Sequence, residues 1–401
     1  MADGNQARLV HIPVGAGATF ILISRVRKAI AAAALVVTAV AFISSPMFGA
    51  VRLAFAYSDP FSIAEFRLRH LATQGYVKKI EEAIAEQDYE DAAKIVEIGQ
   101  ENGHNFDPEL TAKTRENAID MSWRYSADLV DGFMSGSVHS PGSLAGSMAA
   151  DVVSYGDIRD AYNEGSDILS GQDYDGVTLG LSLFGIVTSV AAQAEIDVPL
   201  SVLKTANKTR KLSAGIRASL VRISQNMIDV PVLKRALSNS ADPLLKAPSF
   251  TAVKRVLSSI SYKDVKELDF AGLKASVGDL LPIDVAAAKR RFRGVVRPDA
   301  ADDLAAFTVG TSTVVFNGGT KAAFRSLEKA DSPKELAKFG KLAEKARDRT
   351  SSIIRILGRG AIDLGRLAYL IGASAIYAIT WFLGAIWTIS TFLFNLRALF
   401  R

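Results

Sequence analysis

A chain of 401 residues, 49% of them hydrophobic and with a positive mean hydropathy, has room for a sizeable soluble core of about 300 residues plus membrane-embedded stretches. It has no cysteine, which excludes disulfides, thiolate zinc sites, iron–sulfur clusters and cysteine nucleophiles. The net charge of +5 is unevenly spread: residues 57–176 hold 23 acidic against 9 basic side chains, whereas residues 201–300 hold 19 basic against 8 acidic. Opposite potentials of this kind are expected to dock on each other, within one fold or across an oligomer; the alternative is that the basic half binds nucleic acid or anionic lipid.

Residues 1–28 read as a cytoplasmic tail and residues 29–51 as a transmembrane helix. Ala29 to Val51 is a run of 23 uncharged residues, and a helix needs about 20 to cross the hydrocarbon core. Arg25, Arg27 and Lys28 stand just before it and place the N-terminus inside. The small-x-small tripeptide Ala54-Phe55-Ala56 would suit signal-peptide cleavage, but the long leading segment and the intervening Arg52 argue against it.

Residues 52–126 form an acidic region with helical spacing, at Ala64, Leu68 and Leu71 and then at Val77, Ile80, Ala83 and Ile84. The stretch EEAIAEQDYEDAAKIVEIGQENGH predicts a helix hairpin broken at Gln87-Asp88, with Asp88 capping the second helix. Such pairs occur in tetratricopeptide-like arrays, but a single copy is visible. Asp107-Pro108 predicts a capped helix running toward Phe133.

The region 127–200 is glycine-rich, and two four-residue glycine spacings, Gly142/Gly146 and Gly176/Gly180, suit close helix crossings. Val177 to Ala194 is uncharged over 18 residues and is expected to be a buried core helix; a third membrane crossing there would invert the C-terminus. The region 201–366 reads as short basic amphipathic helices divided at Pro231, Pro243, Pro248 and Pro282. Thr308 to Phe316 looks like a strand but has nothing to pair with, so helix is expected there. Ser332-Pro333 starts a further helix running past Ala346.

Residues 367–396 are 30 consecutive uncharged residues and predict a second transmembrane helix, followed by a short tail, 397–401. At about 45 Å such a helix exceeds the bilayer core and has to tilt, kink or project. Trp381 and Trp387 lie mid-segment, away from the interfaces tryptophan prefers, which would suit a face turned to protein or a re-entrant span, although a simple tilted anchor is the expectation. Two crossings put the middle of the chain in the periplasm.

The constellation closest to chemistry is acidic. Asp157, Asp160 and Glu164 share one helical face, and converging carboxylates could hold a divalent cation for a hydrolase. The alternative is a solvated or arginine-facing helix surface. Asp173-Tyr174-Asp175-Gly176 resembles the centre of a calcium loop, but the first and twelfth positions fall on Gly171 and Ser182, which are not carboxylates. The four histidines are scattered, and no nucleophile elbow, P-loop or dinucleotide fingerprint occurs. Lys289, Arg290, Arg291 and Arg293 form a basic cluster that could contact phosphates or lipid headgroups. No cofactor is expected, and nucleic acid is not an expected partner.

The stretch GSLAGSMAADVVSYGDIRDAYNEGSDILSGQDYDGVTLGLSLFGIVTSVA, with LKTANKTRKLS and SIIRILGRGAI downstream, resembles an uncharacterised family of proteobacterial inner-membrane proteins over roughly residues 70 to 370. Its GDIRDAYN to LGLSLFG portion is also similar in layout to pre-toxin segments of polymorphic toxins, without a nuclease or deaminase tail. The combined expectation is an all-α, membrane-anchored domain between two transmembrane helices. It is expected to be non-enzymatic, to bind a protein partner or itself, and to contact membrane lipid. Two alternatives are a membrane-active, pore-forming or toxin-delivery protein in which Val177–Ala194 inserts, and a metal-dependent hydrolase.

Overall fold

The computed structural model describes residues 59–86, 88–115, 155–188, 194–238, 285–363 and 365–399, with scattered helical residues between 26 and 44. Among the described residues the chain is all-helical, apart from turns and one isolated antiparallel bridge between Ile228 and Val296. It divides into two compact units: Ser58–Asp363, and residues 1–57 with 364–401.

Helix α1 (Pro60–Arg69) starts behind Asp59, whose carboxylate accepts the Phe61 amide and the Ser62 hydroxyl. Helices α2 (Thr73–Ala85) and α3 (Tyr89–Glu101) form the expected hairpin, and Asp88 in the break accepts the Asp91 amide. Their inner faces send Tyr76, Ile80, Ala83, Ala92, Ile95 and Ile98 into the main core. Helix α4 (Pro108–Lys113) begins at the Asp107 cap, but it stops after six residues, far short of the expected reach. There the Thr114 amide and hydroxyl both turn back onto the Thr111 carbonyl. Residues 116–133 lie outside the described residues.

Helices α5 (Tyr155–Ser170) and α7 (Ala194–Lys208) both pack on α6 (Gly176–Thr188), which is buried at every position from Val177 to Ile186. A helix apolar all round gains most when neighbours cover it on every side. This is the core helix expected over 177–194; residues 189–193 lie outside the described set. Of the Gly176/Gly180 pair, Gly180 serves the crossing with α8 (Ala214–Met227), because a Cβ there would overlap the Ser224 hydroxyl, whereas one on Gly176 would meet only Tyr174, at 3.5 Å. Gly142/Gly146 lies outside the described residues.

Pro199 sits inside α7, so the compositional boundary at residue 200 falls within a helix. Helix α9 (Val230–Ser238) carries Pro231 in its first turn, where a missing amide costs little. Pro243, Pro248 and Pro282 lie outside the described residues. Helix α10 (Val285–Phe292) packs against α6 and α9, and Ile158, Leu183, Ile186, Leu233 and Phe292 form a second, smaller core there.

Helix α11 (Pro298–Lys329) corrects the expectation of short helices only: it spans 32 residues and includes Thr308–Phe316 in helical form. It packs on α7, α8, α12 (Pro333–Ala346) and α13 (Thr350–Leu357), which makes it the spine of the unit. Its ladder breaks at Gly319, whose φ of +83° favours glycine, and a Cβ on the preceding Gly318 would stand 3.0 Å from Thr350 Cβ. Helix α12 has the predicted serine cap, Ser332 accepting the Glu335 amide, and it ends at Ala346 instead of running on. Arg347, at φ +52°, turns the chain there.

The smaller unit contains α14 (Arg366–Leu399) and the helical residues between 26 and 44. Trp381 Nε1 donates to Thr38 Oγ1 at 3.0 Å, whereas Trp387, the other mid-segment tryptophan, is exposed. Small residues, Ser374 and Ala385, are buried, whereas bulky apolar ones on both segments are exposed, Val36, Val37, Val40, Ile379, Phe382 and Leu383 among them. Among the described residues no helix is long and apolar enough to cross a membrane.

Two glycines make a paired test of this packing. A Cβ on Gly215 would overlap the Asp331 carbonyl oxygen, a backbone atom that cannot swing away, whereas one on Gly294 meets nothing closer than 3.6 Å. In chemical denaturation Gly215→Ala is expected to cost about 1–3 kcal/mol, and Gly294→Ala to leave stability nearly unchanged.

Candidate functional site

The acidic residues of α5 lead to the deepest charge cluster among the described residues. Their partners come from α7, where the i, i+4 pair Lys204 and Lys208 meets the i, i+3 pair Asp157 and Asp160. Lys204 Nζ lies 2.8 Å from Asp157 Oδ1 and 3.1 Å from Asp160 Oδ2, and Lys208 Nζ lies 2.7 Å from the same Asp160 oxygen. Arg159 Nε donates to Asp160 Oδ1 at 2.9 Å. Lys204 is 1% exposed, so nearly its whole length is dehydrated. The Asp157 carboxylate fits because α6 presents Gly185 to it, where any Cβ would overlap it.

Burial alone would raise the Asp160 pKa, but Lys204, Arg159 and Lys208 outweigh it and hold this carboxyl well below the usual aspartate range. Glu164, third of the sequence-predicted set, is not brought to the cluster. Its Oε2 accepts the Asp175 amide at 2.6 Å, while Asp175 caps α6 through the Val177 amide and the Thr178 hydroxyl. Burial, with the nearby Asp175, Asp167 and Asp160 charges, raises the Glu164 carboxyl despite that hydrogen bond.

Among the described residues no group of three or more histidine, aspartate or glutamate side chains could hold a metal ion. The oxygens a divalent cation would need already face ammonium groups.

A second cluster fastens the hairpin to the spine. Arg325 of α11 binds Asp91 and Asp88, Lys321 lies 2.8 Å from Asp88, Arg355 of α13 lies 2.8 Å from Glu86, and Ser352 donates to Asp91. Burial would raise the Asp88 carboxyl, but Lys321, Arg325 and the Asp91 amide bring it below its ordinary value. The acidic hairpin is thus matched by residues 321–355, which lie beyond the basic region expected to meet it.

Of the basic cluster, Lys289, Arg290 and Arg291 occupy the last turn of α10 and Arg293 follows, with Arg290 and Arg293 exposed and Phe292 buried between them. Elsewhere a cleft of about 530 Å³ opens between α1, α3 and the end of α12. Phe61, Leu68, Ile98 and Ile353 supply apolar lining, and Glu65, Arg69 and Lys345 supply charge. Such a mixed surface suits contact with protein more than enclosure of a small substrate.

Set against protein-family models, curated proteins and solved structures, the chain finds no match.

Sequence reasoning found Asp157 and Asp160 but missed their partners. The signal was there in VPLSVLKTANK, where Lys204 interrupts an otherwise apolar helical face and Lys208 repeats it one turn later.

Lys204→Met is expected to destabilise the protein by about 3–5 kcal/mol, since it strands buried carboxylates, and Ca²⁺ or Mg²⁺ should not shift the wild-type melting temperature. A cation-dependent rise in that temperature would revive the metal reading. A second expectation concerns acid. Asp160 and Asp88 have lowered pKa values, so the stability they supply is complete above the unfolded aspartate value of about 3.9 and drains away as pH falls below it. Glu164 is raised, so its contribution is complete below the unfolded glutamate value of about 4.3 and is lost as pH rises. Asp160→Asn should flatten the acid limb of stability against pH, and Glu164→Gln should improve stability at neutral pH.

Proposed function

We propose that this is a non-enzymatic integral protein of the bacterial inner membrane, held by a hairpin of its two terminal helices, whose Ser58–Asp363 unit docks a protein partner or a second copy in the periplasm. The observation that carries the reading is the inverted surface of the smaller unit. Helices packed in water turn bulky apolar residues inward; here Ser374 and Ala385 are covered and Ile376, Ile379, Phe382 and Leu383 face out. Lipid rewards that arrangement, because small residues let helices approach and a shared hydrogen bond such as Trp381 to Thr38 satisfies polar atoms where water is absent. The uncharged runs Ala29–Val51 and Leu367–Leu396 are long enough for the purpose. Arg25, Arg27 and Lys28 favour an N-terminus inside, hence a middle unit outside.

Use of the larger unit for docking is supported by its chemistry. Its buried carboxylates are tied up in ion pairs, and its cleft combines an apolar lining with charge. The resemblance of residues 70 to 370 to proteobacterial inner-membrane proteins points the same way. Insertion of Val177–Ala194 would require stripping α6 of all its neighbours and opening the Lys204 cluster, so the pore-forming alternative is less well supported. The hydrolase alternative would have to displace the lysines.

Because the chain has no cysteine, introduced ones report unambiguously. Thr38→Cys with Trp381→Cys should be bridged by a short bismaleimide in intact membranes, and the full chain should survive carbonate washing. A chain released by carbonate with both ends intact sinks the membrane reading. A photo-crosslinker at Glu65→Cys should yield adducts above monomer mass, absent from Lys338→Cys on α12; monomer alone at both positions sinks the docking reading.

A further inference from the structure

The acidic and basic segments meet where Lys204 and Lys208 pair with Asp157 and Asp160, but they cancel only in part. Among the described residues, the basic region 201–300 spends Lys204, Lys208 and Arg297 on carboxylates, while the carboxylates of the α2–α3 hairpin are bound from residues 321–355. A positive surplus is left on the outside of α9 and α10. Lys234, Arg235 and Arg293 are exposed and Lys289 is half-buried, and none of the four makes an ion pair among the described residues. The two helices are held together at this corner: the Asp229 amide donates to the Val295 carbonyl, the Arg297 amide to the Met227 carbonyl, and Val232 lies 3.6 Å from where a Gly294 Cβ would stand.

We propose that this α9–α10 face docks on the anionic phospholipid headgroups of the membrane that holds the chain, an inference that rests on the membrane reading above. Charge complementarity selects the partner, and what the face lacks narrows it. Phe292, the one aromatic of α9 and α10, is fully buried, so no platform for stacking nucleic-acid bases is presented. Leu233 and Leu237 are also buried, so no apolar anchor of the kind that centres a protein interface is offered. A headgroup layer asks for neither and attracts each nearby lysine or arginine about fivefold. Tethering at both ends keeps that layer within reach, so even weak docking is populated.

The test uses the full chain in vesicles of phosphatidylcholine alone and of equal parts phosphatidylcholine and phosphatidylglycerol, with a fluorophore on Ser238→Cys and a lipid-borne quencher. Quenching is expected in the anionic vesicles only. The ratio of docked to undocked unit should fall about 25-fold in Lys234→Gln with Arg235→Gln, and stay level in Lys338→Gln with Lys341→Gln, which remove the same charge from α12. Equal quenching in both vesicle types, or an equal loss from the α12 pair, overturns the proposal. Carbonate washing of the same vesicles separates the two readings. If the chain stays bound but quenching ignores lipid charge, the docking fails and the anchor stands. If the chain washes off, the anchor fails, and co-flotation decides the docking: flotation with anionic vesicles alone, abolished by Lys234→Gln with Arg235→Gln, supports it, and absence of flotation overturns it.

Discussion

A lysine that is almost entirely dehydrated keeps its charge only where carboxylates face it, and this requirement helps to order the larger unit. Lys204 gathers Asp157 and Asp160 from α5 onto α7, and α6 packs against both helices. The same requirement acts at Asp91, where Arg325 and Ser352 bring α11 and α13 onto the hairpin. Hydrophobic burial supplies the bulk of the driving force, but it is indifferent to register. Paired charges are not, since a slip of one helical residue would leave ions stranded in a medium that solvates them poorly.

The local punctuation of the fold was legible because it is short-range chemistry. Asp88, Asp107 and Ser332 cap the helices their positions announce, and the uncharged segment after Gly176 is buried as its composition demands. Tertiary effects were not legible. The compositional boundary at residue 200 lies within α7, and α4 ends before Thr114 where a helix toward Phe133 was expected. The length of α11 was hidden by Thr308–Phe316, whose β-branched residues suit either state until neighbours decide. At the site, the i, i+3 spacing of Asp157 and Asp160 was readable, whereas Glu164, one turn further on, was drawn to the Asp175 amide instead. Which basic residues answer which acidic ones depends on contacts between residues 47 or more apart, and composition averaged over segments cannot order them.

The two units follow opposite rules. In Ser58–Asp363 apolar side chains turn inward and ions meet at the seams between helices. In the terminal unit Ser374 and Ala385 are covered, bulky apolar residues such as Ile376, Phe382 and Leu383 face outward, and Trp381 donates to Thr38 across the two segments.

The bridge between Ile228 and Val296 spans a long stretch of sequence with a single point of closure. The main chain leaves α8 at Met227 and enters α11 after Arg297, so the tie pins the start of α9 to the end of α10. Held at that point, the two short helices cannot swing apart without breaking main-chain hydrogen bonds, and the smaller core between them has to move as one body.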